Sequence, residues 1–189
     1  MVRLVDGAGS RVRADAQRNR EHILQVAHEA FAESGATSLN EIAKRAGVGP
    51  GTLYRHFPTR DALILAVYHR DVELLLNSVD DLLGTHAPLD AFRVWFNTLA
   101  DYLRVKQGLG EALHNAALQD AISDTYAPLV TAVAHLIDAG AAASSLRSDL
   151  DPEDVLLLMG FLWRVTDGPE GKKQARRIMD LAIEGLQAH

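Results

Sequence analysis

The run Ser38-Leu-Asn-Glu-Ile-Ala-Lys-Arg-Ala-Gly-Val-Gly-Pro-Gly-Thr-Leu-Tyr-Arg-His-Phe-Pro-Thr-Arg-Asp-Ala-Leu63 contains three helix starts and two helix stops. Ser38 with Glu41 has the S-x-x-E form of a capping box, which starts a helix at Leu39. Leu39, Ile42, Ala43 and Ala46 give that helix one apolar side, and Gly47 ends it after about two turns. Pro50 suits the first turn of a second short helix, because its missing N–H would have no helical partner there. In that helix Leu53 and Phe57 stand at i, i+4 and form the expected buried pair. Thr52, Tyr54, Arg55 and His56 are left pointing outward, and Gly49 and Gly51 carry no side chain to hinder a close approach. Pro58 discourages the helix from continuing, and Thr59 can cap the next one. Two short helices joined by a tight glycine-containing turn form a helix-turn-helix.

Working outward, Ile23, Ala27, Ala30 and Phe31, with Val26 beside them, give Ala16 to Ser34 a helical period, with Gly35 as its stop. Residues 1–15 carry Arg3, Arg11 and Arg13 and little apolar periodicity, so they read as a flexible basic arm. The helix capped by Thr59 carries Leu63, Ala66, Val67, Val72, Leu75, Leu76, Val79 and Leu83 and is long enough to link two domains. Further helices are predicted near 88–106, 109–118, 122–139, 152–166 and 172–187. Asp151-Pro152-Glu153-Asp154 sets cap, proline and first-turn acids in order. The stretch from Gly140 to Leu150 is weakly patterned and reads as a loop, and no segment alternates as a strand would. The predicted fold class is all-α, with about nine helices. An arm (1–15) precedes a three-helix helix-turn-helix head (16–62), and a C-terminal helical bundle (63–189) follows for ligand binding and dimerisation.

Composition narrows the function. The 189 residues contain no cysteine, which excludes disulfides, thiolate catalysis and cysteine-based zinc sites. No apolar signal region precedes Arg20, and the longest strongly apolar run, Val155 to Trp163, is far short of the ~20 residues a membrane helix needs. A cytoplasmic protein with no membrane partner is expected. The net charge of −6 is unevenly spread: residues 1–70 hold 10 Lys and Arg against 7 Asp and Glu, whereas residues 71–189 hold 9 against 18. That asymmetry is either ordinary scatter or the mark of a first part that meets nucleic acid. The eight histidines form no His-x-x-x-His pair, and no glycine-rich phosphate loop follows a strand. No enzyme activity, metal or cofactor is expected.

The quoted run, with the preceding Ala30-Phe31-Ala-Glu-Ser-Gly35, resembles the DNA-binding signature of the TetR (tetracycline-repressor) family over roughly residues 18–70. The Leu-Tyr-x-His-Phe element before a basic residue is its most specific part. The resemblance implies that Tyr54, His56 and Arg60 contact the phosphate backbone, and that Ser38 and Asn40 do so from the start of the preceding helix. Gly49, Pro50, Gly51, Thr52 and Arg55 are then placed to read base edges, where an arginine–guanine pair contributes ~1–3 kcal/mol of discrimination. Lys44 and Arg45 are further backbone candidates. Arg11, Arg13, Arg18 and Arg20 can add phosphate or minor-groove contacts.

Past residue 70 the residues say less. Phe92, Trp95, Phe96, Leu99, Tyr102, His114, Tyr126, Met159 and Trp163 are either core or the lining of an apolar ligand pocket. The resemblance implies such a pocket, and an unknown small-molecule effector that releases the DNA. It also implies that the last two helices join a second copy, with Leu156, Met159, Leu162, Trp163, Ile178, Met179, Ala182 and Leu186 as candidate contacts. The expected protein is thus a homodimeric transcriptional repressor on a palindromic double-stranded operator. The alternatives are a ligand-independent DNA-binding regulator or an activator and, from another class, an all-helical enzyme.

Overall fold

The computed structural model describes residues 7–34, 36–107, 116–163, 165 and 168–188. Eight α-helices follow one another: α1 (Gly7–Glu33), α2 (Leu39–Arg45), α3 (Pro50–His56), α4 (Arg60–Thr85), α5 (Pro88–Gln107), α6 (Ala116–Ala142), α7 (Pro152–Leu158) and α8 (Pro169–Leu186). A 3₁₀ turn, Met159–Trp163, continues α7. The class is all-α as expected, with these eight α-helices among the described residues. Most of the predicted segment 109–118 lies outside the described residues, and its end, Ala116 to Leu118, belongs to α6. Pro128 lies inside α6, which continues although that residue has no N–H to give the preceding turn.

The capping signals act locally as the residues dictate. The Ser38 hydroxyl accepts from the Glu41 N–H at 3.2 Å, Thr59 from Ala62 at 3.1 Å, and Asp151 from Glu153 at 2.8 Å. Gly47 takes φ +65°, a left-handed conformation that ends α2 and turns the chain toward α3. The start of α1 departs from expectation. It is helical from Gly7 rather than Ala16, so Arg11 and Arg13 lie on a helix and not in an arm.

Two hydrophobic clusters form. The first takes Ile23, Leu24, Ala27, Ala30 and Phe31 from α1, Leu39, Ile42 and Ala43 from α2, Leu53 from α3 and Phe57 just after it, and Leu63, Ile64 and Val67 from α4. The second gathers Leu75 and Val79 of α4 with Phe92, Trp95 and Phe96 of α5, Val133 and Leu136 of α6, and Val155, Met159, Met179 and Ile183. The division between head and body therefore falls inside α4, beyond residue 67, rather than at its start. Among the described residues the one β-pairing is an isolated antiparallel bridge, Leu146 to Gln187. It fixes the chain end against the loop after α6. A Cβ on Gly140 would stand 2.5 Å from Leu146 Cδ1, so only glycine lets that loop close.

Candidate nucleic-acid interface

Helix α3 is held by its apolar side. Leu53 is fully buried and Phe57 nearly so, while Tyr54 is 44% exposed and Arg55 is exposed. Thr52 and His56 are half-buried, and Gly49, Pro50 and Gly51 are exposed. A Cβ at Gly49 or Gly51 would meet nothing within 4 Å, so the fold itself does not demand glycine there. Ser38, Asn40 and Lys44 are exposed on and before α2, and Arg60 is half-buried at the start of α4. The expected contact residues are thus brought to the surface of one small head.

Its electrostatics refine the expectation. Pro50 has no N–H, and those of Thr52 and Leu53 bond the Gly49 carbonyl at 2.9 and 3.2 Å. The start of α3 therefore offers an approaching anion few free donors. The Arg55 guanidinium folds back, its Nε donating to the Gly51 carbonyl at 3.1 Å. Reading a base would require exchanging that bond. Arg60 sits over the Phe31 ring at 5.2 Å and Arg20 over the Phe57 ring at 5.4 Å, so both cations rest on the aromatic anchors of the head. Arg20, expected only as a phosphate or minor-groove contact from the arm and the start of the first helix, stands beside the end of α3. No spacing signal in the sequence gave that contact.

Arg45, a backbone candidate, is exposed and already engaged within the head. Its Nη1 donates to Glu33 at 2.6 Å and its Nε to Glu41 at 3.2 Å. Glu33 chiefly, then Glu41, raises its pKa above the ordinary arginine value. Both pairs are exposed, so a phosphate would compete with two carboxylates for this guanidinium.

Sequence reasoning also missed the polar junction between head and body. Asp71 of α4, 4% exposed, is the one buried charged residue among those described. His28 Nδ1 of α1 donates to its Oδ2 at 2.8 Å, and Arg70 Nη1 to its Oδ1 at 3.4 Å. Arg70 also donates to Glu21, and to Gln25 Oε1 at 2.6 Å. The His28 ring meets Tyr102 of α5 edge-on at 5.8 Å. One turn earlier on α4, the hydroxyls of Tyr68 and Thr125 of α6 are hydrogen-bonded. Ion pairs of this kind have no sequence period, so nothing in the spacing pointed to them.

The candidate pocket lining is spread over core, junction and surface. Phe92, Trp95 and Phe96 are fully buried, with ring centroids 4.6 and 5.0 Å apart, and Trp95 Nε1 donates to the Leu75 carbonyl at 3.0 Å. Leu99 and Met159 are buried in the same cluster. Tyr102 belongs to the junction, Tyr126 is exposed, and His114 and the Trp163 side chain lie outside the described residues. The candidate dimer contacts divide likewise. Met159, Met179 and Leu186 are buried in the chain's own core, and Leu156, Ile178 and Ala182 are half-buried. The Leu162 side chain is outside the described set. On α7 and α8 the exposed leucines are instead Leu157 (75%), Leu158 (49%) and Leu181 (68%).

Comparison with known proteins agrees with this architecture. Residues 23–67 match the family described as bacterial regulatory proteins, tetR family, and residues 87–188 match the transcriptional regulator SbtR-like C-terminal domain. A crystal structure of a TetR transcriptional regulator from Streptomyces coelicolor is similar at TM-score 0.80 and 37% identity, over 89% of this chain and 98% of that one. A TetR transcription regulatory protein from Mycobacterium vanbaalenii is similar at TM-score 0.76 and 31% identity, over 94% and 99%. A helix-turn-helix-type transcriptional regulator of Staphylococcus aureus (strain USA300) is 43% identical over 67 residues. That match spans 34% of this chain and 36% of the relative. With both halves matched, and two structures similar over almost their whole length, the chain belongs to the TetR family of bacterial transcriptional regulators.

Proposed function

We propose that this protein is a homodimeric repressor that binds a palindromic operator through α3 and leaves it when a small molecule binds the body. The observation that carries the reading is the division of α3: Leu53 and Phe57 buried below, Tyr54 and Arg55 exposed above, and two glycines at its start that the fold does not need. Such a helix can enter a major groove while its anchor stays in the head. The charge distribution supports the same orientation, since the acidic body would face away from phosphate.

Release requires that a ligand bind two states of the dimer unequally, with a coupling of typically ~1–3 kcal/mol. Helix α4 is suited to carry it. Its first turns belong to the head core and its later turns to the body core. The exposed Leu157, Leu158 and Leu181 supply apolar surface for a second copy.

Selection of bound DNA from random fragments at stated salt tests the reading, and a palindromic consensus is expected. On the selected site, Arg60→Ala should weaken binding to all sequences and flatten the salt slope by about one unit. Arg55→Ala should instead relax preference at particular bases. Equal effects of both on every sequence would contradict these roles, and no enriched sequence would remove the operator.

A further inference from the structure

Between α5 and α8 lies a surface cleft of about 570 Å³, lined by Arg93, Asn97, Ala100, Asp101, Lys172, Ala175, Arg176, Met179 and Asp180. Its floor and rim differ in kind. Ala100, Ala175 and Met179 are buried, while Asn97, Asp101, Lys172, Arg176 and Asp180 are exposed around them. The small alanines leave the hollow. The volume falls within the ~300–1,000 Å³ usual for small-molecule sites.

The rim charges are unevenly satisfied. Arg93 Nη1 donates to Asp180 Oδ1 at 2.7 Å, so that pair spans the cleft and neutralises itself. Asp101 has an interaction of its own. Lys172 and Arg176, one turn apart on the same side of α8, have no partner among the described residues. This stands against its background. Residues 71–189 carry twice as many acids as bases, 18 against 9, yet the rim holds three bases and two acids. Two unpaired cations over an apolar floor, with an amide at Asn97, match the chemistry of an organic anion. The cations would hold a carboxylate or phosphate, and the floor a short apolar part.

We infer that the α5–α8 cleft binds a small organic polyanion through Lys172 and Arg176, and that this anion is the effector of the repressor. The effector role rests on the regulator reading above, whereas the binding site rests on the cleft alone.

The test is calorimetric titration of the full chain at about 0.15 M salt, where weak surface attraction is screened. Citrate, phthalate and pyrophosphate are the probes, with glycerol as the neutral control. At least one anion should bind saturably and glycerol should not. The double variant Lys172→Gln with Arg176→Gln should weaken that binding at least tenfold. Lys173→Gln with Arg177→Gln removes the same charge from α8 outside the cleft and should change it less than twofold. Equal loss in both double variants, or no saturable binding of any anion, would overturn the site. So would conversion of the first double variant to monomer in sedimentation, since the cleft would then be a contact between copies. The bound anion should also lower affinity for the selected DNA severalfold in the parent chain and not in the first double variant. Anion binding that leaves DNA affinity unchanged removes the effector role. Failure to select any DNA removes the regulator and leaves the anion site standing.

Discussion

Asp71 shows how one residue can tie the head to the body. Its two oxygens accept from His28 of α1 and from its neighbour Arg70, which also reaches Glu21 and Gln25. A buried carboxylate is tolerated only while such donors satisfy it. Asp71→Ala strands both donors at a half-buried junction and should cost about 2–3 kcal/mol of unfolding free energy in urea. Asp71→Asn retains one acceptor oxygen and should cost less, and equal losses would mean that only the volume matters. Two phenols beside the same helix report through pH. Burial raises the pKa of Tyr68 above the ordinary 10.0, with partial offset from the Thr125 hydrogen bond. Burial, then the Asp71 charge, raises that of Tyr102, and Arg70 partly offsets it. Above pH 10.0 the folded chain retains protons that the unfolded chain releases, so stability is full below that value and falls as pH rises through the folded pKa values. Urea midpoints between about pH 8 and pH 11 should show the fall, and Tyr68→Phe with Tyr102→Phe should flatten it relative to the parent.

At the scale of elements, two glycines four residues apart do different work. Gly47 is left-handed with open space around it, so Gly47→Ala meets no clash and suffers only backbone strain of about 1 kcal/mol. The melting temperature should fall by about 2–4 °C. Gly51 has no left-handed φ and nothing within 4 Å, and it lies inside α3. Gly51→Ala should leave stability unchanged or slightly raised through helix propensity, while binding of the selected DNA weakens because the added methyl occupies the approach. Joint loss of stability and binding would make Gly51 a folding residue. The same contrast separates what the sequence revealed from what it hid. Caps and stops are written within a few residues, as at Ser38, Gly47, Thr59 and Asp151, and those helix ends were legible. So was the division of α3, because i, i+4 spacing names the buried pair. The extension of α1 to Gly7 was not, since no apolar stripe marks those turns. Nor were the ties of Arg45 to Glu33, Arg20 to Phe57 and His28 to Asp71, which depend on how helices meet rather than on any period.

For the molecule as a whole, a single head cannot read both halves of a palindrome, so the expected function depends on a second copy. The apolar period of α7 and α8 named Met159, Met179 and Leu186, but a period says only that a face is covered, not by which chain. Those three are covered by the chain's own core. On α7 and α8 the apolar surface left open is Leu157, Leu158 and Leu181, large side chains that a lone chain would present to water. Burying them against a twin stabilises the pair by about 1.5–3 kcal/mol for each side chain fully covered. Leu157→Glu with Leu181→Glu puts two charges on each copy where twins would meet, so desolvation and repulsion both oppose association. Sedimentation should then show a species near the chain mass of 20.6 kDa, where the parent shows about twice that. Because neither leucine belongs to the head, its folding should persist. Affinity for the full palindrome should drop steeply, toward that for a single half-site, since two linked heads gain by effective concentration. A variant that remains dimeric and binds the palindrome as before would move the interface away from these leucines.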